Sequence, residues 1–273
     1  MAPCRVLVLG AHPDDAEVFA GGLLVRHANL GSVVRIVSVT DGSSGHQNMT
    51  PEHLRDVRRE EARQAGLTIG AEYETLHFRD GYLEPSLALR EAIVGEIRSF
   101  SPDLVLTHRT NDYHPDHRAV GQAVQDASYM VTVPNVFPDT PAIAKDPVVS
   151  SMCDLFTQPN RLRPDIILNV QDEFEQVVNM AACHQSQFFD WLPFHDGVLA
   201  TVPTSESDRL KWLAGRLREF MQPRVKFFSD ALAENCDHTV EPESLIEVYE
   251  ISEYAAQPNA AERERLFPRA INA

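Results

Sequence analysis

The chain opens on a short apolar run, residues 5–10, which gives way at once to polar and acidic positions and then to apolar residues at helical spacing. Further short apolar runs at 33–39, 74–78, 103–108 and 166–170 alternate with stretches that read as helices at 51–65, 87–100, 115–131 and 172–187, and a last one at 211–221. Short continuous apolar runs mark strands buried on both faces; apolar positions three and four apart mark helices laid against them. The alternation is a βαβ rhythm, and it predicts an α/β fold: a Rossmann-like, mostly parallel sheet with helices on both faces. One domain covering residues 1–273 is the simplest division. Residues 131–165 break the rhythm, because Pro134, Pro138, Pro141, Pro147, Pro159 and Pro164 predict an ordered but irregular excursion. The polar tail from about residue 255 is expected to fray. Gly21 and Gly22 fall inside the first helical stretch, where each costs about 1 kcal/mol relative to alanine. They point to a close backbone approach or to a helix break.

Two clusters sit where strands hand over to helices: Ala11-His12-Pro13-Asp14-Asp15-Ala16-Glu17 and Tyr113-His114-Pro115-Asp116-His117-Arg118. In open α/β sheets ligands collect beyond the carboxyl ends of the strands, so both clusters should face one crevice. Histidine and aspartate supply nitrogen and oxygen ligands to zinc, and a catalytic zinc takes three protein ligands. Asp14 and Asp15 point about 100° apart on a helical turn, so one can bind a metal while the other serves as a general base. His114 could face a developing oxyanion or leaving group, with Asp116 holding its other ring nitrogen. The competing reading is capping: Asp and His satisfy the first amides of a helix, and proline suits its first position. His108, closing a strand, fits a hydrogen-bonded or pocket-lining residue better than a ligand. His184 could touch substrate or simply pack, Arg58 on a charge-rich helix reads as a solvated face, and His46 and His53 read as surface residues.

With these motifs the sequence resembles the PIG-L/LmbE-like family, zinc-dependent deacetylases of N-acetylglucosamine units that include the enzymes of mycothiol and bacillithiol synthesis and of diacetylchitobiose. The resemblance implies His12, Asp15 and His117 as zinc ligands, Asp14 as general base, and His114 as electrophilic or acid residue supported by Asp116. Arg58-Arg59-Glu60-Glu61-Ala62 is similar to the family's R-x-x-E-A helix, and Asp80-Gly81 matches the position of a sugar-binding carboxylate. The resemblance therefore implies Arg58 and Asp80 as substrate contacts. His184-Gln185-Ser186-Gln187 is similar to a late H-x-S-Q segment, and a weaker echo lies near 245–254. Two departures stand out: Ala16 separates Asp15 from Glu17, as in the bacillithiol and chitobiose groups, and Asp112 stands where the mycothiol enzymes carry a tyrosine, so no tyrosine role is carried over. The same resemblance implies one zinc per chain, replaceable by other divalent ions, and a homo-oligomer, trimer or hexamer.

Charge narrows the partners. The net charge of −16, with no basic run, would repel a phosphate backbone or an anionic membrane surface, so neither nucleic acid nor membrane is expected as partner, and the resemblance, with its implied contacts at Arg58 and Asp80, makes a small N-acetylated sugar the expected substrate. Four cysteines far apart predict reduced thiols, and the absence of a charged-then-apolar leader or a long apolar run predicts a cytoplasmic protein. Two other functions compete with deacetylation. A nucleotide- or sugar-binding module would use the same crevice, but Gly10-Ala11-His12-Pro13 is not a G-x-G-x-x-G turn. A metal-dependent phosphoesterase would often need two metals, and the ligands suffice comfortably for one.

Overall fold

The computed structural model describes residues 3–235 and 240–271. In chain order the first half builds β1 (Arg5–Gly10), α1 (Asp15–Asn29), β2 (Val33–Thr40), α2 (Pro51–Thr68), β3 (Glu72–Phe78), α3 (Leu87–Phe100), β4 (Leu104–Thr107) and α4 (Pro115–Ala127). The second half adds β5 (Val148–Ser151), β6 (Ile166–Asn169), α5 (Phe174–Ala182), α6 (Leu192–His195), α7 (Glu206–Met221), α8 (Pro223–Phe227), α9 (Ser229–Asn235), β7 (Ile246–Ile251) and α10 (Ala260–Leu266). One seven-stranded sheet runs in the order β3-β2-β1-β4-β5-β7-β6. Strands β1 to β5 are parallel, and β7 is antiparallel to both of its neighbours. The expected α/β fold is therefore present, with an antiparallel strand that the βαβ rhythm did not contain.

The period-two alternation of strands divides the core. In β1, Val6 and Val8 pack with α1, α5 and α7 on one face, while Leu7 and Leu9 pack with α3 and α4 on the other. Each such fully buried Val or Leu contributes about 1.5–3 kcal/mol, so a slip of one residue in β1 would exchange its two faces. A third apolar cluster, with Ile167, Phe228, Ile246 and Val248, joins β6 and β7 to α8 and the residues just after it.

Close approach explains the glycine pair in α1, which runs unbroken across it. A Cβ on Gly22 would lie 2.5 Å from the Val170 side chain, and one on Gly21 would lie 2.9 Å from Val177. Buried Glu247, from β7, accepts from the Gly22 and Leu23 amides at 2.6 and 3.0 Å and from the Tyr249 hydroxyl at 2.7 Å. The weak sequence echo near 245–254 is thus the strand that locks the site-bearing helix to the sheet.

Three expectations need correction. The excursion at 131–165 is not wholly irregular, because β5 lies inside it and extends the parallel sheet. Its first part is gathered around the buried Arg98 guanidinium, which donates to the carbonyls of Met130, Val131, Val133, Val136, Phe137 and Thr140 at 2.8–3.0 Å. The tail does not fray at 255: Asn259 and Glu262 form a reciprocal capping box at the start of α10, and Leu266 and Phe267 are buried in the core. The Arg265 guanidinium, donating to Asp103 at 2.9 Å, adds to the hold on this polar helix. The helical stretch expected at 172–187 also divides, α5 ending at Ala182 before a π-helical segment, Ser186–Trp191. Among the described residues no disulfide forms and no helix is long and apolar enough to cross a membrane; Cys236 lies outside them.

Candidate metal centre and catalytic site

The strand order reverses in the sheet between β1 and β4, the place where open α/β folds bind their ligands. Both histidine clusters leave the sheet there. His114 caps α4, its Nδ1 accepting from the Asp116 amide at 3.2 Å, and Pro115 takes the first helical position. Gly121 lets that helix settle onto the end of β4, since a Cβ there would lie 2.6 Å from the His108 carbonyl oxygen. Asp14 stands at the N-cap of α1 but makes no capping bond, and its backbone has a φ of 125°. Capping therefore accounts for His114 and leaves Asp14 unexplained. A non-glycine residue at such a φ is held there by its surroundings, commonly for function.

The three expected ligands meet. His12 Nδ1 lies 3.2 Å from His117 Nε2 and 3.7 Å from Asp15 Oδ2, and His117 Nε2 lies 3.4 Å from Asp15 Oδ1. Ligands about 2.0–2.2 Å from a tetrahedral zinc stand about 3.3–3.6 Å apart. The donor set and its spacing therefore fit a divalent metal. Three groups that share these residues, His12 with His114 and His117, Asp15 with His108 and His117, and His12 with Asp80 and Asp116, also have metal-ligand spacing.

Carboxylates hold the outer ring nitrogens. His12 Nε2 faces Asp116 Oδ2 at 3.2 Å and Asp80 Oδ1 at 3.3 Å, and His117 Nδ1 faces Asp112 Oδ1 at 3.2 Å. Such partners fix the tautomer that leaves the inner nitrogen for the metal. Burial alone would depress His12, but Asp116 and Asp80 outweigh it and push its pKa up to about 10. His117 is likewise lifted against burial, to about 9, by Asp15 and Asp112. The two inner nitrogens face each other at 3.2 Å, and protons held on them must leave before they can bind a metal.

Several sequence readings change here. Asp116 does not hold His114; its carboxylate accepts from the Gly81 and Leu83 amides at 2.7 and 3.1 Å and steadies His12. Asp80, expected to bind sugar hydroxyls, faces His12 and accepts from the Ser44 amide at 3.0 Å. Burial favours its neutral form, but His12 and Ser44 reverse this and hold its carboxyl below the usual range. Arg58 is no solvated residue: it is buried, donates to the Pro13 carbonyl, and lies 3.4 Å from Asp14 Oδ2. His108 proves to be a hydrogen-bonded residue, Nε2 at 3.0 Å from Asp15 Oδ2 and its ring stacked on His117. His184 is fully buried against Glu17 Oε1 at 3.1 Å. His53 is exposed, and half-buried His46 accepts from two loop amides. The residue that sequence reasoning missed is Asp112. Its signal was an Asx turn, the Asp112 carboxylate accepting from the His114 amide at 2.8 Å just before the helix begins.

The remaining motifs brace the metal loop from behind. Glu61 receives the Ser186 amide and hydroxyl at 2.8 and 2.6 Å, tying α2 to the start of the π-helical segment. The Asp14 amide donates to the Tyr73 hydroxyl at 3.2 Å. In this enclosure burial pushes the Asp14 carboxyl up to about 6, with Arg58 pulling it down. His114 moves the other way: burial and the neighbouring His12 and His117 keep it neutral. Because its Nδ1 accepts a backbone proton, neutral His114 carries its own proton on Nε2.

Comparisons with known proteins place this geometry. Residues 7–128, from β1 to the end of α4, match the PIG-L family, described as GlcNAc-PI de-N-acetylase. The chain is 27% identical over 191 residues to the diacetylchitobiose deacetylase of Thermococcus kodakarensis, covering 67% of this chain and 70% of that protein. It is 26% identical over 195 residues to the 4-oxalmesaconate hydratase of Pseudomonas putida, covering 68% and 74%. The N,N'-diacetylchitobiose deacetylase of Pyrococcus horikoshii shares the fold, with a TM-score of 0.69 at 21% identity over 91% of this chain and 83% of that one. The paired histidine clusters at the β1/β4 crevice both lie within residues 7–128, the segment that matches the PIG-L family.

Proposed function

We propose that this protein is a metal-dependent N-deacetylase, with zinc as its ion, that hydrolyses the acetamide of an N-acetylglucosamine-type substrate. The observation that carries the reading is the convergence of His12, Asp15 and His117 within 3.2–3.7 Å of one another, beside Asp14 in the wall of a cavity of about 320 Å³. These three residues would hold the ion. Bound there, a divalent metal supplies Lewis acidity and lowers the pKa of a coordinated water toward ~7.

Asp14 lines the cavity with a carboxyl lifted to about 6, a range suited to taking a proton from water near neutral pH. Arg58 holds that carboxylate in place through Oδ2. His114, its ring 4.5 Å from that of His12, offers its Nε2 proton to the oxygen of the amide as negative charge develops there. Asp116, Asp80 and Asp112 keep the ligand rings oriented. The amine leaves with a proton returned from Asp14 or His114.

The hydratase relative raises a second reading, addition of water to a carboxylate substrate. Of the residues lining the cavity, only Arg216 carries a guanidinium, and it is paired with Asp196. That favours an uncharged amide over a multiply anionic substrate. The test is to incubate zinc-loaded protein with N-acetylglucosamine conjugates and measure acetate and free amine. Turnover that needs metal, and that falls by about 10²–10⁴-fold in Asp14→Asn with zinc retained, supports the reading. Loss of zinc in Asp14→Asn, or metal content unchanged in His12→Ala, overturns it.

A further inference from the structure

His108 belongs to the crevice, yet the hydrolysis described above gives it no part. It follows β4, is 5% exposed, and is held from several sides. Gly121 lets α4 rest on its carbonyl, its ring stacks on that of His117 with centroids 3.9 Å apart, and Phe19 of α1 closes edge-on at 5.9 Å. With Asp15 and His117 it has the spacing of a metal ligand, but the stack rules that role out. An imidazole binds an ion along the lone pair of its nitrogen, in the plane of the ring. The rings of His108 and His117 lie one over the other with only 10° between their planes, so one ion cannot sit in both planes. His117 faces His12 as well as Asp15 and completes the three-ligand set.

What His108 does follows from charge. Its Nε2 lies 3.0 Å from Asp15 Oδ2 and 3.1 Å from the Ala11 amide; it can donate to the first or accept from the second, not both. A hydrogen bond to a charged acceptor is about twice as strong as a neutral one, so the proton stays on Nε2 and points at the carboxylate. The same Oδ2 accepts from the His12 amide at 2.7 Å. Gly10 lets the turn close on Asp15, since a Cβ there would lie 3.0 Å from that of the aspartate. Oδ2 thus has two donors, while Oδ1 faces His117 Nε2 at 3.4 Å.

We propose that His108 is a positioning residue that makes Asp15 a one-oxygen ligand: together with the His12 amide it occupies Oδ2, so that only Oδ1 is offered to the ion and a further coordination position stays open to solvent or substrate. Without that donor the carboxylate is free to turn and chelate with both oxygens, which closes the position that hydrolysis needs. The proposal rests on the metal assignment of the deacetylase reading.

The test loads the protein with cobalt(II), whose visible bands are strong in four-coordinate sites and weak at higher coordination, and sets kinetics of the zinc form beside the spectrum. His108→Phe keeps a ring against His117 and Phe19 and removes the donor; His108→Gln returns an N–H close to where Nε2 stood. Wild type and His108→Gln should show the strong bands, whereas His108→Phe should take up cobalt but with bands several-fold weaker. On N-acetylglucosamine conjugates kcat should fall about 10–100-fold in His108→Phe with KM little changed, and should recover in His108→Gln. If circular dichroism shows that His108→Phe does not fold, His108→Met, also without a donor, makes the same comparison. Full-strength bands in a folded donorless variant, or loss of the ion from it, would overturn the positioning role and leave the deacetylase reading standing. Weakened bands restored by glutamine, with no acetate released from any conjugate by the zinc-loaded wild type, would do the reverse. A wild type that takes up neither cobalt nor zinc removes both.

Discussion

Replacing Asp14 should make the metal-stripped protein more stable while it abolishes hydrolysis. Burial pushes this carboxyl from its ordinary range, near 3.8, up to about 6, the pull of Arg58 notwithstanding. At about 1.4 kcal/mol per pKa unit, the ionised group weighs on the fold by roughly 3 kcal/mol. The carboxyl is neutral in both folded and unfolded chains below 3.8 and ionised in both above about 6. The penalty is therefore absent in acid, about half developed at pH 5, and complete at pH 7.5. Asp14→Asn removes the charge and keeps the shape. For a chain of this size, about 2–4 °C per kcal/mol gives a rise in Tm of about 6–12 °C at pH 7.5, roughly halved at pH 5. Asp14→Gly should add about 1–3 kcal/mol more, because the φ of 125° is strained for any residue with a Cβ. Thermal unfolding of EDTA-treated protein, followed by circular dichroism at both pH values, reads all three quantities. An Asp14→Asn protein no more stable than wild type at pH 7.5, or equally stabilised at both pH values, would refute the reasoning.

Gly22→Ala should destabilise by about 1–3 kcal/mol through overpacking against Val170 despite the better helix propensity of alanine, whereas Gly95→Ala, with nothing within 4 Å, should stabilise by up to about 1 kcal/mol; urea midpoints that move in the same direction would contradict the packing account. Arg98→Met strips six carbonyls of their donor and should lose at least about 3 kcal/mol, with new protease cuts between residues 130 and 145; unchanged proteolysis there would sink the role given to Arg98. Asp116→Asn should weaken zinc binding by about 10–100-fold in competition with a chromophoric chelator, and an unchanged affinity would show that Asp116 does not steady His12. Because His12 and His117 are held up to about 10 and 9 without metal, zinc binding should release protons and tighten as pH rises through neutrality. Calorimetry in two buffers of different ionisation enthalpy measures the release, and identical heats would argue against it.

Local chemistry carried much of this protein in plain view of its sequence. The apolar runs and their periods dictated the parallel α/β core, because strands buried on both faces and helices on one write different patterns. That His12, Asp15 and His117 would meet was equally legible, since each cluster follows a strand and the carboxyl ends of parallel strands share one edge. What the sequence could not contain was the partner each side chain finds at long range. Asp116 lies two residues from His114 yet serves His12, 104 positions away, because the loop after β3 supplies the Gly81 and Leu83 amides that aim its carboxylate. Arg58 reads as solvated in a charge-rich helix, and only the packing of α2 behind Pro13 buries it against Asp14. The tail reads as polar, and only the core waiting for Leu266 and Phe267 orders it. The cavity beside Asp14 belongs to the same class, since its walls come from α1, the π-helical segment and α7, whose residues look like ordinary helix faces until the fold leaves a space between them. Periodicity fixes which face of an element is buried; only the meeting of elements distant in sequence decides what that face is buried against, and whether a cavity or a carboxylate waits there.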